Sequence, residues 1–393
     1  MKTAPGAAAA QSTRVDALLD GFVSSGFAAG VAAYAERRGE PLYDYRTGLA
    51  DIASRRPIAD DTVYRIYSMS KLFAATAGMI LFERGLFRME DPLSRFIPAF
   101  RNPQVHETGP DGRVYARPAR REIRIRDLFT MASGIPWIGD ATESERLMYG
   151  FFRGGNDISA LTTVQIAESV ARFPLDFDPG SRWKYGFSHD ILGALVCVLS
   201  GRTFGEFLRE EVFEPLGMED TGFCLPAAKR GRLASTYPVR ADGTIRPEPL
   251  SGRYPETPPA YESGGGGMVS TLPDYAAFAR MLLTGRAPDG RHILGRKTLE
   301  LLRADQLSAV QRTDFESGLQ LGKSYALGVS ILADLGRTGC AGSVGEFGWA
   351  GAAGTWVTVD PGEDLFAVLM LQRMPGGLDE SVPRFKEALY AML

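Results

Sequence analysis

The sequence predicts an α+β fold in which both ends of the chain build one sheet and a helical lobe is inserted between them. Strand-like segments lie near the start of the chain, GVAAYAERRGE at 30–40 and PLYDYRTGLAD at 41–51. Others lie near its end, rich in β-branched and aromatic residues and punctuated by Gly and Pro: SYALGVSIL at 324–332, GTWVTVDP at 354–361 and DLFAVLMLQR at 364–373. The long middle of the chain has patterns typical of helices and loops.

These patterns place the elements in order. A short amphipathic helix comes first, followed by the two strands with a turn at Gly39. A proline-free run from Ser68 to Arg84, rich in Ala, Leu, Met and Phe, predicts a buried helix that ends at Gly85. The run of four glycines at 264–267 fits either a flexible linker or a tight turn before the strand-like MVST. The segment VPRFKEALYAML at 382–393 predicts a closing amphipathic helix.

Composition narrows the class of protein. Apolar residues make up 45% and charged residues 23%, which is typical of a globular protein, and a net charge of −3 argues against nucleic acid or an anionic membrane as partner. The N-terminal segment lacks the apolar core of a signal peptide, and no run approaches the length of a membrane span. The sequence does not indicate an oligomeric state.

Cysteine and histidine are scarce. The three cysteines are far apart and odd in number, which favours free thiols in a reducing compartment, so we expect a cytoplasmic protein. The three histidines have no metal-ligand spacing. We therefore expect no metal and no cofactor.

A possible nucleophile lies at the start of the predicted helix. Ser68-Met-Ser-Lys71 fits the motif S-x-x-K, in which a serine is paired with a lysine. Residues three apart on a helix share a face, so the amine of Lys71 can reach the hydroxyl of Ser68, whereas Ser70 points away. The motif alone is weak, because a helix-capping serine followed by a surface lysine gives the same pattern. A second match, Ser181 to Lys184, lies in a loop.

The order of further segments strengthens this interpretation. FDPGSRWKYGFSHDILGALV at 177–196 places Tyr185 just before a helix, and GEFGWAGAAGTWVTVDP at 345–361 forms a glycine-rich strand or turn. The order S-x-x-K, loop tyrosine, glycine-rich strand resembles the serine β-lactamase and penicillin-binding-protein superfamily, and most closely the class C β-lactamase-like esterases called family VIII carboxylesterases. Other matching segments, such as IRDLFTMASGI and FEPLGMEDTGF, extend the resemblance over nearly the whole chain.

The resemblance implies a mainly antiparallel sheet flanked by helices. The strand and helix patterns divide the chain into a sheet domain of residues 1–85 and 308–393 and an inserted, mostly helical domain of residues 86–307, and we expect the active site between them. The resemblance also implies residue roles: Ser68 as a nucleophile that forms an acyl-enzyme, Lys71 as its partner amine, Tyr185 as the proton shuttle to the leaving group, and the backbone N–H groups of Ser68 and Ala352 as the oxyanion hole.

Two departures from the β-lactamase pattern bear on the substrate. Where those enzymes have an asparagine two residues after the tyrosine, this chain has Phe187, and Lys-Thr-Gly is replaced by Trp349-Ala350-Gly351. Both changes remove polar groups that contact the amide and carboxylate of a β-lactam. Tryptophan at this place is common among the similar esterases and indicates a neutral, partly apolar acyl or alcohol group. We therefore expect Phe187, Trp349, Ala350 and Gly351 to bind substrate.

Other hydrolase signatures are absent from the sequence. There is no G-x-S-x-G, so the nucleophile elbow of an α/β-hydrolase is not supported. Ser188, His189 and Asp190 are contiguous and cannot converge as a catalytic triad, so we interpret them as the start of a helix.

The leading functional hypothesis is a cytoplasmic serine esterase that cleaves short-chain carboxylic esters, a small-molecule substrate, with β-lactam hydrolysis at most a weak side activity. Two alternatives share the fold: an acyltransferase that passes the acyl group of Ser68 to an alcohol, and a peptidase for D-amino-acid substrates. A third is a non-catalytic binding protein with this fold, against which the intact Ser68, Lys71 and Tyr185 argue.

Overall fold

The strands of the protein form one large sheet and several short pairs. A computed structural model describes residues 5–155, 157–250, 254–316, 320–377 and 379–393. Its strands are β1 Gly30–Arg37, β2 Glu40–Asp51, β3 Arg56–Pro57, β4 Val63–Arg65, β5 Gln104–Thr108, β6 Val114–Pro118, β7 Tyr237–Pro238, β8 Val269–Thr271, β9 Lys323–Tyr325, β10 Ser330–Leu332, β11 Phe347–Ala350, β12 Trp356–Asp360, β13 Leu365–Met370 and β14 Arg373–Met374. Eight of them form an antiparallel sheet in the order β3-β2-β1-β13-β12-β11-β10-β9. Both ends of the chain therefore build this sheet, as predicted.

Helices occupy most of the remaining chain. They are α1 Pro5–Ser24, α2 Ser70–Glu83, α3 Ile125–Phe129, α4 Glu143–Arg153, α5 Thr163–Val170, α6 Ser188–Ser200, α7 Phe204–Leu208, α8 Glu214–Leu216, α9 Leu272–Thr284, α10 Arg296–Leu302, α11 Ala309–Phe315, α12 Leu335–Thr338 and α13 Ser381–Tyr390. Within the described ranges no single helix is long and apolar enough to cross a bilayer. The bent pair of helices at Ser188–Ser200 and Phe204–Leu216 would together be long and apolar enough, judged by length and composition alone.

Helices cover both faces of the sheet. Successive residues of β1 point to opposite faces, so Val31 packs with α1 and α13, whereas Ala32 belongs to the main core. Because neither face is open to water, β1 is apolar along most of its length rather than alternating. On the main-core side α9 packs on the sheet, where Arg280 pairs with Glu36 of β1 and lies over the ring of Phe366 at 5.6 Å.

The position of α9 differs from the predicted division of the chain. Its residues fall within 86–307, the segment expected to form the helical lobe, but the helix packs on the sheet. The strand before it, β8, also pairs with β4 from the N-terminal part of the chain. The chain thus returns to the sheet about one helix earlier than the glycine and strand patterns indicate.

Helix α2 lies in the centre of the protein. Every residue from Ser70 to Leu81 is buried, which explains why its sequence is apolar without a helical period. A side chain at Gly78 would overlap the ring of Phe129, so glycine permits close packing there. The predicted helix started at Ser68, but α2 begins at Ser70 and is preceded by a 3-10 turn, Tyr67–Met69.

The glycine run at 264–267 forms a turn rather than a linker. A side chain at Gly264 would overlap the carbonyl of His189, and one at Gly265 would overlap the carboxylate of Asp190. The run is therefore packed against the start of α6. Of the two structures the sequence permitted, the tight turn before the MVST strand is correct.

His189 is enclosed at the start of α6. Its side chain has no exposed surface, and within the described part of the chain neither ring nitrogen has a hydrogen-bond partner. Burial, and then the positive charge of Lys71 on α2, hold the pKa of His189 well below its usual value. The imidazole is therefore neutral in the folded protein at neutral pH, while the unfolded chain takes up a proton below about pH 6.5.

This difference predicts acid lability. Below about pH 6.5 the unfolded state binds one more proton than the folded state, so His189 lowers the free energy of unfolding by up to about 1.4 kcal/mol for each further pH unit. Urea unfolding between about pH 5 and pH 7.5 should give a shallower pH dependence in His189→Met than in the wild type. The exposed His292 offers a matched control, His292→Met, which should keep the wild-type slope. Equal slopes in all three proteins would contradict the assignment.

Candidate active site

Ser68 lies on the 3-10 turn Tyr67–Met69, between β4 and α2. The turn is fixed through Ile66, whose N–H donates to the carbonyl of Met268 at 3.1 Å and whose own carbonyl accepts from the N–H of Met69 at 3.1 Å. Tyr67 has a φ of 45°, in the left-handed region that non-glycine residues seldom occupy. The backbone is thus constrained at the residue before Ser68, whose side chain is half-buried.

Three predicted residues meet at this turn. The hydroxyl oxygen of Ser68 lies 2.6 Å from the phenol oxygen of Tyr185 and 3.2 Å from Nζ of Lys71, which donates to it. Lys71 comes from the first turn of α2, and Tyr185 from the loop before α6. The Ser68 hydroxyl therefore has two hydrogen-bond partners that can carry a proton, an arrangement suited to a nucleophile.

Lys71 is fully buried. Besides the Ser68 hydroxyl, its amine contacts the carbonyl oxygen of Gly265, and it lies 4.6 Å and 5.7 Å from the ring centroids of Tyr185 and Trp137. Among the residues that the structure describes, no carboxylate forms an ion pair with Lys71. No acidic group therefore competes with Ser68 for the protons of this amine.

A hydrogen-bond network around Asp190 fixes Gly265, whose carbonyl oxygen contacts the amine of Lys71. One oxygen of the buried Asp190 carboxylate accepts hydrogen bonds from Tyr261 at 2.5 Å, Ser263 at 2.6 Å and the N–H of Gly265 at 3.3 Å. Burial, and then the charge of Asp190, raise the pKa of Tyr261 well above its usual value, so this phenol remains a donor. The network links Asp190 to Lys71 through the backbone of Gly265.

No pattern in the sequence predicts this network. The sequence places Asp190 at the start of a helix, and α6 does begin at Ser188, so that prediction is confirmed. A charged residue in the first turn of an otherwise apolar helix was the available signal. Its partners come from a loop about seventy residues later in the chain, which no local pattern connects to it.

The predicted oxyanion groups lie where β11 approaches the Ser68 turn. The N–H of Gly351 donates to the carbonyl of Thr355 at 2.7 Å, and the Thr355 hydroxyl donates to the carbonyl of Ile66 at 3.3 Å. A side chain at Gly351 would overlap that same Ile66 carbonyl, so only glycine permits the approach. Ala352 follows directly and lines the same cavity as Ser68.

Trp349 forms an aromatic wall beside the nucleophile. Its indole stacks parallel to the ring of Tyr185, with centroids 6.2 Å apart and an angle of 6°. The ring of Tyr325 meets its other side edge-on at 5.3 Å. Trp137 packs edge-on against Tyr185 at 5.2 Å. The contacts with Trp349 and Trp137 restrict the orientation of the Tyr185 ring.

Phe187 lies deeper than the other predicted substrate-binding residues. It is 2% exposed and packs against Phe152 at 5.2 Å and against Trp137 and Tyr261 at 6.4 Å. Its ring therefore supports Trp137, whereas Trp349, Ala350 and Gly351 line the cavity directly.

The other serines considered have structural contacts. Ser70 is fully buried and its hydroxyl accepts from the N–H of Met268 at 3.3 Å. Ser181 donates to the carbonyl of Asp178 at 2.6 Å. Lys184, the lysine of the second S-x-x-K match, forms ion pairs with the carboxylates of Glu145 and Asp176 and no hydrogen bond with Ser181. Of the two matches, only the first brings its serine and lysine together.

Ser68 opens into a cavity of about 410 Å³. Tyr185 and the end of β11 form one part of its wall, and the loop at 375–377 and the first turn of α13 form another. In the described part of the chain no cluster of three His, Cys, Asp or Glu side chains is placed to hold a metal ion. The groups at the serine are an amine, a phenol and backbone amides, which together suit acyl transfer.

The chain is similar to known proteins over most of its length. The β-lactamase family model matches residues 15–391. Esterase EstB of Burkholderia gladioli is 30% identical over 401 residues, covering 98% of this chain and 96% of the esterase. An uncharacterized protein of Mycobacterium tuberculosis (strain CDC 1551 / Oshkosh) is 31% identical over 365 residues, covering 89% of this chain and 87% of that protein.

Solved structures share the fold. EstCE1, a hydrolase with promiscuous acyltransferase activity, superposes with a TM-score of 0.82 at 24% identity and covers 98% of this chain and 99% of its own. Simvastatin synthase (LovD) from Aspergillus terreus, unliganded, gives a TM-score of 0.79 at 22% identity, with 97% and 98% coverage. The antiparallel sheet with its covering helices is thus the β-lactamase and penicillin-binding-protein fold. The family match over residues 15–391 and the 30% identity to esterase EstB over 98% of this chain establish that the chain belongs to the β-lactamase family of serine hydrolases.

Proposed function

We propose that this protein is a carboxylesterase of the family VIII type, which cleaves short-chain esters through an acyl-enzyme on Ser68. The observation that carries the proposal is the position of the Ser68 hydroxyl, 2.6 Å from Tyr185 and 3.2 Å from Lys71. The full-length likeness to esterase EstB supports an ester as substrate.

The proposed reaction has two halves. In the proposed reaction Lys71 acts in its neutral amine form. The Ser68 oxygen attacks the ester carbonyl carbon as its proton passes to this amine, directly or through Tyr185. The backbone N–H groups of Ser68 and Ala352 stabilise the oxyanion of the tetrahedral intermediate. When the intermediate collapses, the bond to the alcohol oxygen breaks and Tyr185 protonates the departing alcohol. Water then attacks the acyl-enzyme by the reverse proton route, which releases the acid and restores the Ser68 hydroxyl.

The wall of the cavity supports a substrate with a neutral reacting end. Trp349 presents an indole beside Ser68, and its only polar group is one neutral N–H donor. A small acyl or alcohol group can pack on this ring, while the carboxylate next to a β-lactam ring finds no ammonium there. Weak β-lactam hydrolysis is therefore the most that we expect.

Acyl transfer to an alcohol is the second candidate. Proteins that share the fold at high coverage include EstCE1, named for promiscuous acyltransferase activity, and simvastatin synthase, and an acyltransferase, calJ of Penicillium decumbens, is 24% identical over 64% of this chain. The two activities differ only in what attacks the acyl-enzyme. Measuring free acid and new ester from p-nitrophenyl butyrate with increasing methanol separates them, since a transferase yields mainly the new ester.

Two further alternatives have direct tests. A D-amino-acid peptidase would cleave D-alanyl-D-alanine peptides faster than p-nitrophenyl esters. A non-catalytic binding protein would leave Ser68 unlabelled by a fluorophosphonate probe. Labelling of the wild type together with loss of labelling in Ser68→Ala would contradict the non-catalytic alternative.

The first activity prediction separates the two S-x-x-K matches. Ser68→Ala should lower kcat/KM for p-nitrophenyl butyrate at least about a thousandfold, because it removes the nucleophile. Ser181→Ala should retain activity within a few fold, since its hydroxyl only donates to a loop carbonyl. Both variants should keep the wild-type circular dichroism. Full activity in Ser68→Ala, or loss of activity in folded Ser181→Ala, would contradict the assignment.

Asp190 is predicted to act as a positioning residue. In Asp190→Asn the carboxylate that gathers Tyr261, Ser263 and Gly265 is lost, so the Gly265 carbonyl should shift relative to Lys71. We expect kcat to fall roughly tenfold with KM little changed, because Asp190 is not among the residues that line the cavity at Ser68. Kinetics with p-nitrophenyl butyrate measure both constants.

The control for this variant is a buried aspartate away from the site. Asp274, at the start of α9, is 9% exposed and accepts hydrogen bonds from Thr221 and the N–H of Asp220. Asp274→Asn should lower the stability to urea but leave kcat near the wild-type value. If the two variants lose the same proportion of kcat, the effect of Asp190 is general destabilisation.

The third activity prediction concerns Trp349. A lysine at this place would offer an ammonium to a β-lactam carboxylate, and a charged hydrogen bond of this kind is worth about 1.5–3 kcal/mol, or roughly ten- to a hundredfold. Trp349→Lys should therefore raise the ratio of kcat/KM for a chromogenic cephalosporin to that for p-nitrophenyl butyrate by about this factor. Trp349→Phe, which adds no charge, should leave the ratio low. A wild type that already prefers the cephalosporin would contradict the prediction.

A further inference from the structure

The cavity at Ser68 continues to a charged end that the proposed reaction does not use. From Ser68 it runs along β11 and the first turns of α13 towards β9. Three charged side chains line its far end, Lys323 from β9, Lys386 from α13 and Glu346 just before β11. Two are cationic and one is anionic, so this end of the cavity carries one positive charge more than it carries negative charges.

The cavity is lined by two carboxylates, Glu346 at its far end and Asp379 before α13, and both are already paired: Glu346 with Lys386 and Asp379 with Arg373. Lys386 Nζ lies 2.6 Å from one oxygen of Glu346, and the hydroxyl of Thr358 donates to the other at 2.5 Å. The side chains of Lys386 and Glu346 are 8% and 6% exposed, so water does not screen this pair. The negative charge of Glu346 is therefore paired with the ammonium of Lys386.

Lys323 has no such partner. In the described part of the chain its amine forms neither an ion pair nor a hydrogen bond, although its side chain is mostly buried and lines the cavity. Burial, and then the charge of Lys386, lower the pKa of Lys323, and the charge of Glu346 opposes this shift without cancelling it. A mostly buried ammonium without a counterion is unfavourable, and an anion entering the cavity would relieve this cost.

The pairing of β9, β10 and β11 gives an estimate of the distance between Lys323 and the end of β11, which lines the cavity together with Ser68. Lys323 is paired with Leu332, whose N–H donates to the carbonyl of Glu346 at 2.7 Å, so Lys323 lies two strands from β11. Two strand spacings are about 10 Å, and the four residues from Glu346 to Ala350 span about 13 Å. The backbone at Lys323 is thus roughly 16 Å from the end of β11, and a lysine side chain that leans along the sheet towards this end brings the amine no closer than roughly 10 Å.

The direction of the cavity indicates which half of an ester reaches it. Tyr185, the proposed donor to the leaving group, comes from the loop before α6 and packs against Trp137 and Trp349. Lys323 comes from β9, the edge strand two positions beyond β11 in the sheet. A leaving group beside Tyr185 therefore directs the acyl group along β11 towards Lys323.

We propose that Lys323 forms a carboxylate subsite, and that the preferred substrates are esters whose acyl chain ends in a free carboxylate, that is, monoesters of dicarboxylic acids. One carboxylate supplies the one missing negative charge, whereas a phosphate dianion would exceed it. A chain of about six to eight carbons spans the estimated gap, while the reacting end remains neutral and packs beside Trp349. This inference rests on the proposed esterase function of Ser68.

Matched pairs of substrates test the subsite. p-Nitrophenyl monoesters of adipic and suberic acid are compared with p-nitrophenyl hexanoate and octanoate, which have the same chain length without the carboxylate. The wild type should prefer the acidic member of each pair. In Lys323→Met the ratio of acidic to neutral kcat/KM should fall roughly ten- to a hundredfold, and Lys323→Arg should retain most of it. An unchanged ratio in Lys323→Met overturns the subsite.

Two further measurements keep the test decisive. Lys297→Met removes a lysine whose side chain is 77% exposed on α10, so it controls for the change in net charge and should keep the wild-type ratio. Calorimetric titration with suberate measures the subsite without turnover, and binding should weaken in Lys323→Met. If the wild type cleaves neither ester but binds suberate through Lys323, the esterase proposal fails and the subsite stands. Suberate binding equal in both proteins overturns the subsite whatever the activity.

Discussion

The structure of the site depends on the burial of a single amine. Lys71 lies inside the protein without an ion-pair partner among the described residues, and hydrogen bonds to Ser68 and Gly265 hold it in position. These contacts require α2 to be enclosed on all sides, because an exposed lysine would be solvated and mobile. The buried helix, the packed glycine turn and the Asp190 network all maintain this enclosure. The reactive group and the hydrophobic core are therefore parts of one arrangement.

The same arrangement explains the place of the aromatic residues. The second hydrogen-bond partner of Ser68, besides Lys71, is the phenol of Tyr185, and its ring must keep one orientation for this hydrogen bond to form. Trp349 and Trp137 both pack against the Tyr185 ring. Trp349 thus has two roles, since it fixes Tyr185 and also replaces a cation of the β-lactamase pattern. The side chain at position 349, beside Ser68, is thus uncharged, and the unpaired charge of the cavity lies at its far end on Lys323.

Much of this could be predicted from the sequence, and the rest could not for identifiable reasons. The sheet from both termini followed from strand patterns at each end, and Ser68, Lys71 and Tyr185 followed from a spaced motif with its context. The start of α2 was placed two residues early because a 3-10 turn has the same local composition as a helix. The partners of Asp190 and the isolation of Lys323 depend on contacts between distant segments, which no local pattern encodes.

The joining of both chain ends in one sheet has a consequence for how the site forms. Ala32 in β1 pairs with Met370 in β13, more than three hundred residues later, and Ile66 beside the nucleophile accepts a hydrogen bond from Thr355. During synthesis the N-terminal strands are therefore made long before the strands that pair with them. Until those strands are made, the turn that carries Ser68 lacks its hydrogen bond from Thr355. The central strand β1 meanwhile exposes an apolar edge that can pair with other chains. The proposed reactivity of Ser68 is thus coupled to completion of the sheet, so a nascent or truncated chain would carry Ser68 without the support that the proposed reaction requires.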